Sequence, residues 1–294
     1  MGTIDSILVA TDFSAEAQHA AGRAGRIATL LGCASGTLAH VHEPAPLTAL
    51  KQLLGGARPD FEETRRHLNE RLADVVENIE REHGFRLTPE LSAGRPLVEL
   101  SRLAAAHDLV VLGARGQHQL RERLIGTLPQ RLLGRIQQPL LVVRPAAEAD
   151  YGSVVVGVDF SADSIQAVEW ASAIAPEAPL HLVHAFRHPQ ELAMYYANVA
   201  PALIAEYRQR ARARSEVELR RLVAASRRSA APVTSAVEEG DPATALRKQA
   251  AKVGAGLIVV GKRGTSEAED LLFGSVVQHL LVEADCDVLV TPRR

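Results

Sequence analysis

Ser6-Ile-Leu-Val-Ala-Thr-Asp12-Phe-Ser14, near the start of the chain, returns past its middle as Ser153-Val-Val-Val-Gly-Val-Asp159-Phe-Ser161. Each stretch is a short apolar run, then Asp-Phe-Ser, then a helical pattern. Asp12 and Asp159 stand 147 residues apart. Three more pairs follow in the same order. Leu109-Val-Val-Leu-Gly113-Ala-Arg-Gly116 is echoed 148 residues on by Leu257-Ile-Val-Val-Gly261-Lys-Arg-Gly264. Gly126-Thr127 is echoed by Gly274-Ser275, again at 148. Pro139-Leu-Leu-Val-Val-Arg-Pro145 is echoed by Cys286-Asp-Val-Leu-Val-Thr-Pro292. Four matched segments in one order and at nearly one offset mark a tandem repeat. The predicted domains are residues 1–147 and 151–294, joined by a short polar, Ala-rich linker around 146–151.

Within each repeat, apolar runs predict strands near 5–11, 36–42, 87–92, 108–113 and 139–144, and near 153–158, 180–186, 233–237, 256–261 and 286–291. They are rich in Val, Ile and Leu, as strands covered on both faces are. Helical spacing fills the gaps over 15–31, 62–82 and 97–106, and over 162–175, 202–225 and 242–253. Strand–helix alternation implies parallel strands with right-handed crossovers. The expected fold is therefore α/β: two tandem doubly wound domains, each a five-stranded parallel sheet in the order 3-2-1-4-5 with helices on both faces. In that order the winding reverses between the first and fourth strands, where ligands bind at the strands' C-terminal ends.

Composition narrows the function classes. Hydrophobic residues make up 47% of the 294, enough for a core in each half, but aromatics only 4%, so aliphatic residues and Ala do the packing. A formal net charge of −2 gives no reason to expect a nucleic acid or an anionic membrane. Eight arginines fall within residues 207–228, but Glu206, Glu216 and Glu218 offset them, which reads as a solvated helix face. Cys33 and Cys286 have no second Cys at metal or redox spacing and read as plain thiols. No apolar run is long enough to span a bilayer, and nothing at the N-terminus resembles a leader. A cytoplasmic setting is expected.

The chemistry gathers at the reversal point. Asp12 and Asp159 follow first strands, and Gly113 and Gly261 end fourth strands, so each half brings two such loops to one crevice. The glycine spacing repeats as well: Gly113-x-x-Gly116, nine residues, Gly126-Thr127, then Gly261-x-x-Gly264, nine residues, Gly274-Ser275. Glycine lets the backbone approach a ligand closely. Gly126-Thr127 and Gly274-Ser275 each open a helix, whose N–H groups suit an anion such as phosphate. Asp12 and Asp159 also suit a capping role with Ser14 and Ser161 as N-caps. If they face phosphates instead, Mg2+ is implied, because like charges otherwise repel.

These residues resemble the universal stress protein family, whose hallmark G-2x-G-9x-G-S/T both halves carry. The likeness extends to the first-strand Asp, to His40 and His184 at the ends of second strands, and to the closing strand that ends in Pro. It implies an ATP-binding regulator or sensor of stress, with AMP or ADP as other occupants. It also implies that the glycines contact ribose and phosphates, and that Val41 and Ala185 meet adenine through their backbones. Two departures stand out. Pro129 and Val277 occupy positions where many ATP-binding members carry a second hydroxyl, and the turn after the third strand holds Arg95 in one half and Asp241 in the other. The resemblance further implies pairing of residues 139–144 with 286–291 and assembly of tandem chains into a homodimer.

No residue stands out as a general base for an attacking water, so catalysis is expected to amount to slow ATP hydrolysis at most. The alternatives are a slow ATPase or self-phosphorylating enzyme, and a nucleotide-free protein-interaction module. Walker A, GxGxxG, HxGH and SGGxDS patterns are absent from the sequence.

Overall fold

The structure, a computed structural model, describes residues 4–43, 61–114, 127–145, 149–186, 189–226, 231–264 and 273–292. The chain divides into two compact units, residues 2–148 and 149–294. The first runs β1 (Ser6–Ala10), α1 (Ala15–Leu31), β2 (Ser35–His42), α2 (Phe61–His83), β3 (Thr88–Ala93), α3 (Pro96–Ala104), β4 (Leu109–Gly113), α4 (Thr127–Leu133) and β5 (Leu140–Val143). The second runs β6 (Val154–Gly157), α5 (Ala162–Ile174), β7 (Leu180–Phe186), α6 (Pro189–Tyr196), α7 (Pro201–Ala225), β8 (Val233–Glu239), α8 (Pro242–Val253), β9 (Leu257–Gly261), α9 (Ser275–Glu283) and β10 (Asp287–Thr291).

In the first unit β1 pairs in parallel with β2 and β4, β2 with β3, and β4 with β5. The second repeats this, with β6 between β7 and β9, β8 outside β7 and β10 outside β9. Each unit thus has the order 3-2-1-4-5, and its reversal lies between β1 and β4 or between β6 and β9. The central strands carry the core. Ile7, Leu8 and Val9 of β1, Leu109 to Val111 of β4 and Leu257 to Val259 of β9 are fully buried. Each such side chain contributes about 1.5–3 kcal/mol by leaving water. Continuous apolar runs, without alternation, follow from having helices on both faces.

Small residues set the helices close. α1 buries Ala17, Ala20, Ala21, Ala24 and Ala28. A Cβ on Gly25 of α1 would lie 2.6 Å from Ile79 Cγ2 of α2, so these two helices meet almost backbone to side chain. This explains how a chain poor in aromatics fills its core. The arginines of α7 are exposed, and three of them pair along the helix, Arg210 with Glu206, Arg212 with Glu216 and Arg221 with Glu218, while Arg208 reaches Glu239 of β8. The helix α6 was not foreseen. Its counterpart stretch in the first half, residues 47–56, lies outside the described residues. No helix among the described residues is long and apolar enough to cross a membrane.

Candidate functional site

The loop leaving the first strand is built identically in both halves. Asp12 Oδ1 accepts the Ser14 N–H at 3.0 Å and the Ser14 hydroxyl at 2.5 Å. Ser14 Oγ in turn accepts the Ala17 N–H at 3.2 Å and caps α1. Asp159 and Ser161 repeat this at 3.0 and 2.5 Å, and Ser161 caps α5 through the Ser164 N–H at 3.2 Å. The carboxylate therefore braces the helix start whatever else it does. Between Asp and Ser, Phe13 and Phe160 sit at φ 64° and 65°.

His40 and His184 hold the same loop from the second strand. His40 Nδ1–H donates to Thr11 O at 2.8 Å and His184 Nδ1–H to Val158 O at 2.7 Å. Their rings lie 4.5 Å from those of Phe13 and Phe160, centroid to centroid. Burial pushes both imidazoles below the usual 6.5, with the accepting carbonyl pulling back by less. Burial lowers His83 and His181 as well. Below pH 6.5 the unfolded chain therefore binds protons that the folded chain does not. Stability is full above 6.5, falls as the pH drops beneath it, and levels off below the folded values. Urea unfolding is expected to show a lower midpoint at pH 5.5 than at pH 7.5. His40→Asn with His184→Asn should shrink that difference; an equal drop in the variant contradicts the assignment.

The glycines do different work. A Cβ on Gly113 would lie 2.9 Å from the carbonyl carbon and oxygen of Glu16, and one on Gly261 2.9 Å from Asp163 Cβ and 3.0 Å from its carbonyl carbon. Glycine ends these strands because the first turn of α1 or α5 lies against them. Gly264 is different: its Cβ would lie 2.5 Å from Asp159 Oδ2. That glycine lets the loop after β9 close on the carboxylate. Gly274 donates its N–H to Lys262 O at 3.0 Å, tying the start of α9 to the same loop, and no side chain caps α9. The free first turn of α9 contrasts with α1, α5 and α8, which Ser14, Ser161 and Asp241 cap.

In the second half these parts enclose one cavity of about 530 Å³ at the C-terminal ends of the strands. Asp159, Ala185, Gly261, Gly264, Gly274 and Ser275 all line it. So do residues that sequence reasoning did not assign: Phe186, Asp241, Leu246 and Arg263. Ala185 presents its backbone there. Val158 N–H donates to Val183 O at 2.9 Å, so residue 183 faces β6, and the alternation of a parallel ladder turns residue 185 the same way. β6 has ended by then, at Gly157, so the N–H and C=O of Ala185 open toward the crevice. Val41 is aimed likewise in the first half, since Thr11 N–H donates to Ala39 O at 2.9 Å and β1 ends at Ala10.

Asp12, Val41 and Gly113 stand at the ends of adjacent strands in the first half. Gly116, Gly126 and the side chain of Thr127 lie outside the described residues, although α4 does start at Thr127. Val277, at a position lacking the second hydroxyl, lines the second-half cavity with only 2% exposure. Among the described residues no group of three or more His, Cys, Asp or Glu is arranged to hold a metal ion. Asp159 would offer a carboxylate oxygen to a cation carried in by a phosphate ligand. Cys33 is no nucleophile at neutral pH: burial and the nearby Asp5 and Asp108 push its thiol up to about 11.

The architecture defines a tandem, doubly wound α/β protein with a cavity at the sheet reversal of its second unit. The sequence model of the universal stress protein family matches residues 3–144 and again 150–292, and the chain belongs to that family. Universal stress protein MJ0577 of Methanocaldococcus jannaschii is 29% identical over 91 residues, which are 29% of this chain and 56% of that protein. The chain thus spans little more than half the length of this curated relative. Among solved structures, a universal stress protein from Archaeoglobus fulgidus DSM 4304 superposes with a TM-score of 0.68 at 18% identity, covering 99% of both chains. The protein PA1789 of Pseudomonas aeruginosa PAO1 gives 0.60 at 17% identity, covering 98% of this chain and 93% of its own. At these identities the structural likeness speaks for the fold.

Proposed function

We propose that the chain binds adenine nucleotides and acts as a nucleotide-dependent regulator or sensor in the stress response, not as a dedicated enzyme. One observation carries the reading: five residues singled out by the repeat, with Ala185 from the family resemblance, line a single cavity of about 530 Å³. That size is typical of small-molecule sites. Adenine would lie against the Ala185 backbone and Phe186. The phosphates would take the uncapped N-terminus of α9, whose N–H groups favour anions, with Arg263 as counter-charge. In the first half Asp12, Val41, Gly113, Gly116, Gly126 and Thr127 form the corresponding set. Mg2+ would arrive with the phosphates. Among the described wall residues, Asp159 is tied to Ser161, Asp241 to Thr244 and His184 to Val158 O, so each of these groups already holds a structural partner.

The test is to denature the purified protein and identify released nucleotide by chromatography. Where none is released, melting is followed with ATP, ADP, AMP and GTP. A ligand at 100 times its Kd stabilises by about 2.7 kcal/mol, on the order of several degrees in Tm for units of this size. Adenine nucleotides are expected to be released or to raise Tm, and GTP to leave it unchanged. No release and no shift with any nucleotide would refute the reading, and an equal shift with GTP would refute its adenine part.

A further inference from the structure

One stretch of the second unit is apolar and faces water. Residues 193–205 read Ala-Met-Tyr-Tyr-Ala-Asn-Val-Ala-Pro-Ala-Leu-Ile-Ala, without a charged residue. None of them is buried. Tyr195 is 73% exposed, Tyr196 77% and Leu203 57%. A helix of a globular protein ordinarily buries a stripe of side chains. In α7, 25 residues long, Leu219 alone is buried. The last turn of α6 and the first half of α7 therefore stand clear of the second unit's core.

The bend between the two helices is built by the backbone. Asn198 takes φ 52° and ends α6 as its left-handed residue. Asn198 N–H donates to Tyr195 O at 3.1 Å and Val199 N–H to Met194 O at 3.0 Å, the paired closure of a Schellman motif. Pro201 then opens α7, at a position where a missing N–H does no harm. Tyr195 and Tyr196 meet edge to face, 6.4 Å between centroids at 75°. Two large aromatic groups are thus held outward in fixed places, and an apolar surface of this kind marks an interaction site.

We infer that this bend is an interface whose occupant is a second copy of the same chain, docked about a two-fold axis. In such a contact the same patch meets itself. A stretch without charge can do so free of repulsion, and an acidic or basic partner would find nothing there to pair with. Tyrosine suits itself, since the edge of one ring fits the face of another. The α7 turns that follow carry both signs, Glu206 and Arg210 one turn apart, so the rim of the contact is self-complementary too. The area suffices. A specific dimer needs about 1,000 Å² in total, roughly 500 Å² from each copy. The two tyrosines, about three-quarters exposed, supply about 300 Å² of that. Leu203, Pro201 and the exposed alanines beside them supply the remainder.

Sedimentation velocity of the full chain over a range of concentrations tests it. A contact near the lower size limit is weak, so the mass is expected to climb from 31.6 kDa toward twice that between about 1 and about 100 µM. Tyr195→Glu with Tyr196→Glu sets like charges against each other across the axis and should weaken association at least about tenfold. Leu203→Glu, on the other side of the bend, should do the same, and decides alone if the double variant does not fold. Both sites are exposed, so both variants are expected to melt with the parent. A parent chain that stays at 31.6 kDa throughout overturns the inference. So does a dimer that either folded glutamate variant leaves as strong as before.

Discussion

Gly261→Ala is expected to cost the second half about 3 kcal/mol of stability, and Gly113→Ala the same in the first, at the severe end of overpacking. The added methyl would press at 2.9–3.0 Å on Asp163 or Glu16, largely on main-chain atoms. Main chain cannot rotate aside as a side chain can. Ser14 and Ser161 pin those helix starts through their caps, so relief would mean lifting α1 or α5 from the sheet. Urea unfolding without any ligand measures the loss. A change below about 0.5 kcal/mol, the ordinary range for a harmless surface substitution, would show that the close approach is not real.

Gly264→Val should act in the opposite manner. Its Cβ meets a carboxylate oxygen, Asp159 Oδ2, at 2.5 Å and not a helix backbone. The carboxylate can swing away, giving up its bonds to Ser161, at about 1 kcal/mol. The valine then occupies the cavity between Asp159 and the start of α9. The unliganded variant is expected to melt within a few degrees of the parent, while the second half loses its nucleotide-induced rise in Tm altogether. Gly116→Val should do the same for the first half, and the double variant should show no response. A full response in the double variant would remove the glycine loops from the site. The two substitutions together separate glycines needed for folding from a glycine needed for a ligand, although both stand in one motif.

The fold was legible because its signal is redundant. α1 and α8 fall on residues 15–31 and 242–253 as periodicity predicts, and the strands agree to within a residue or two. Leu, Val and Ile in unbroken runs leave few alternatives for a strand covered on both faces, and the repeat supplies each observation twice. The chemistry was less legible because it depends on what meets across the sheet. Nothing local distinguishes Gly261, pressed on a helix, from Gly264, pressed on a carboxylate three residues later. Asp241 reads as a helix cap, which it is, and only the closure of the turn onto Phe186 O brings it to the crevice wall. Arg263 sat unremarked inside the motif because spacing rules attend to glycines. The helix α6 was missed because eight residues give too little periodicity to separate a helix from an apolar loop.

Phe13 and Phe160 hold a left-handed backbone, a posture that costs an ordinary residue about 1–2 kcal/mol. The same residue type bears it at the same place in both halves, clamped by the Asp–Ser turn before the helix and by a histidine ring behind. A corner cocked between two such grips is stiff before any guest arrives. Whatever molecule settles beside it meets a finished contour, and the encounter forfeits little chain freedom there.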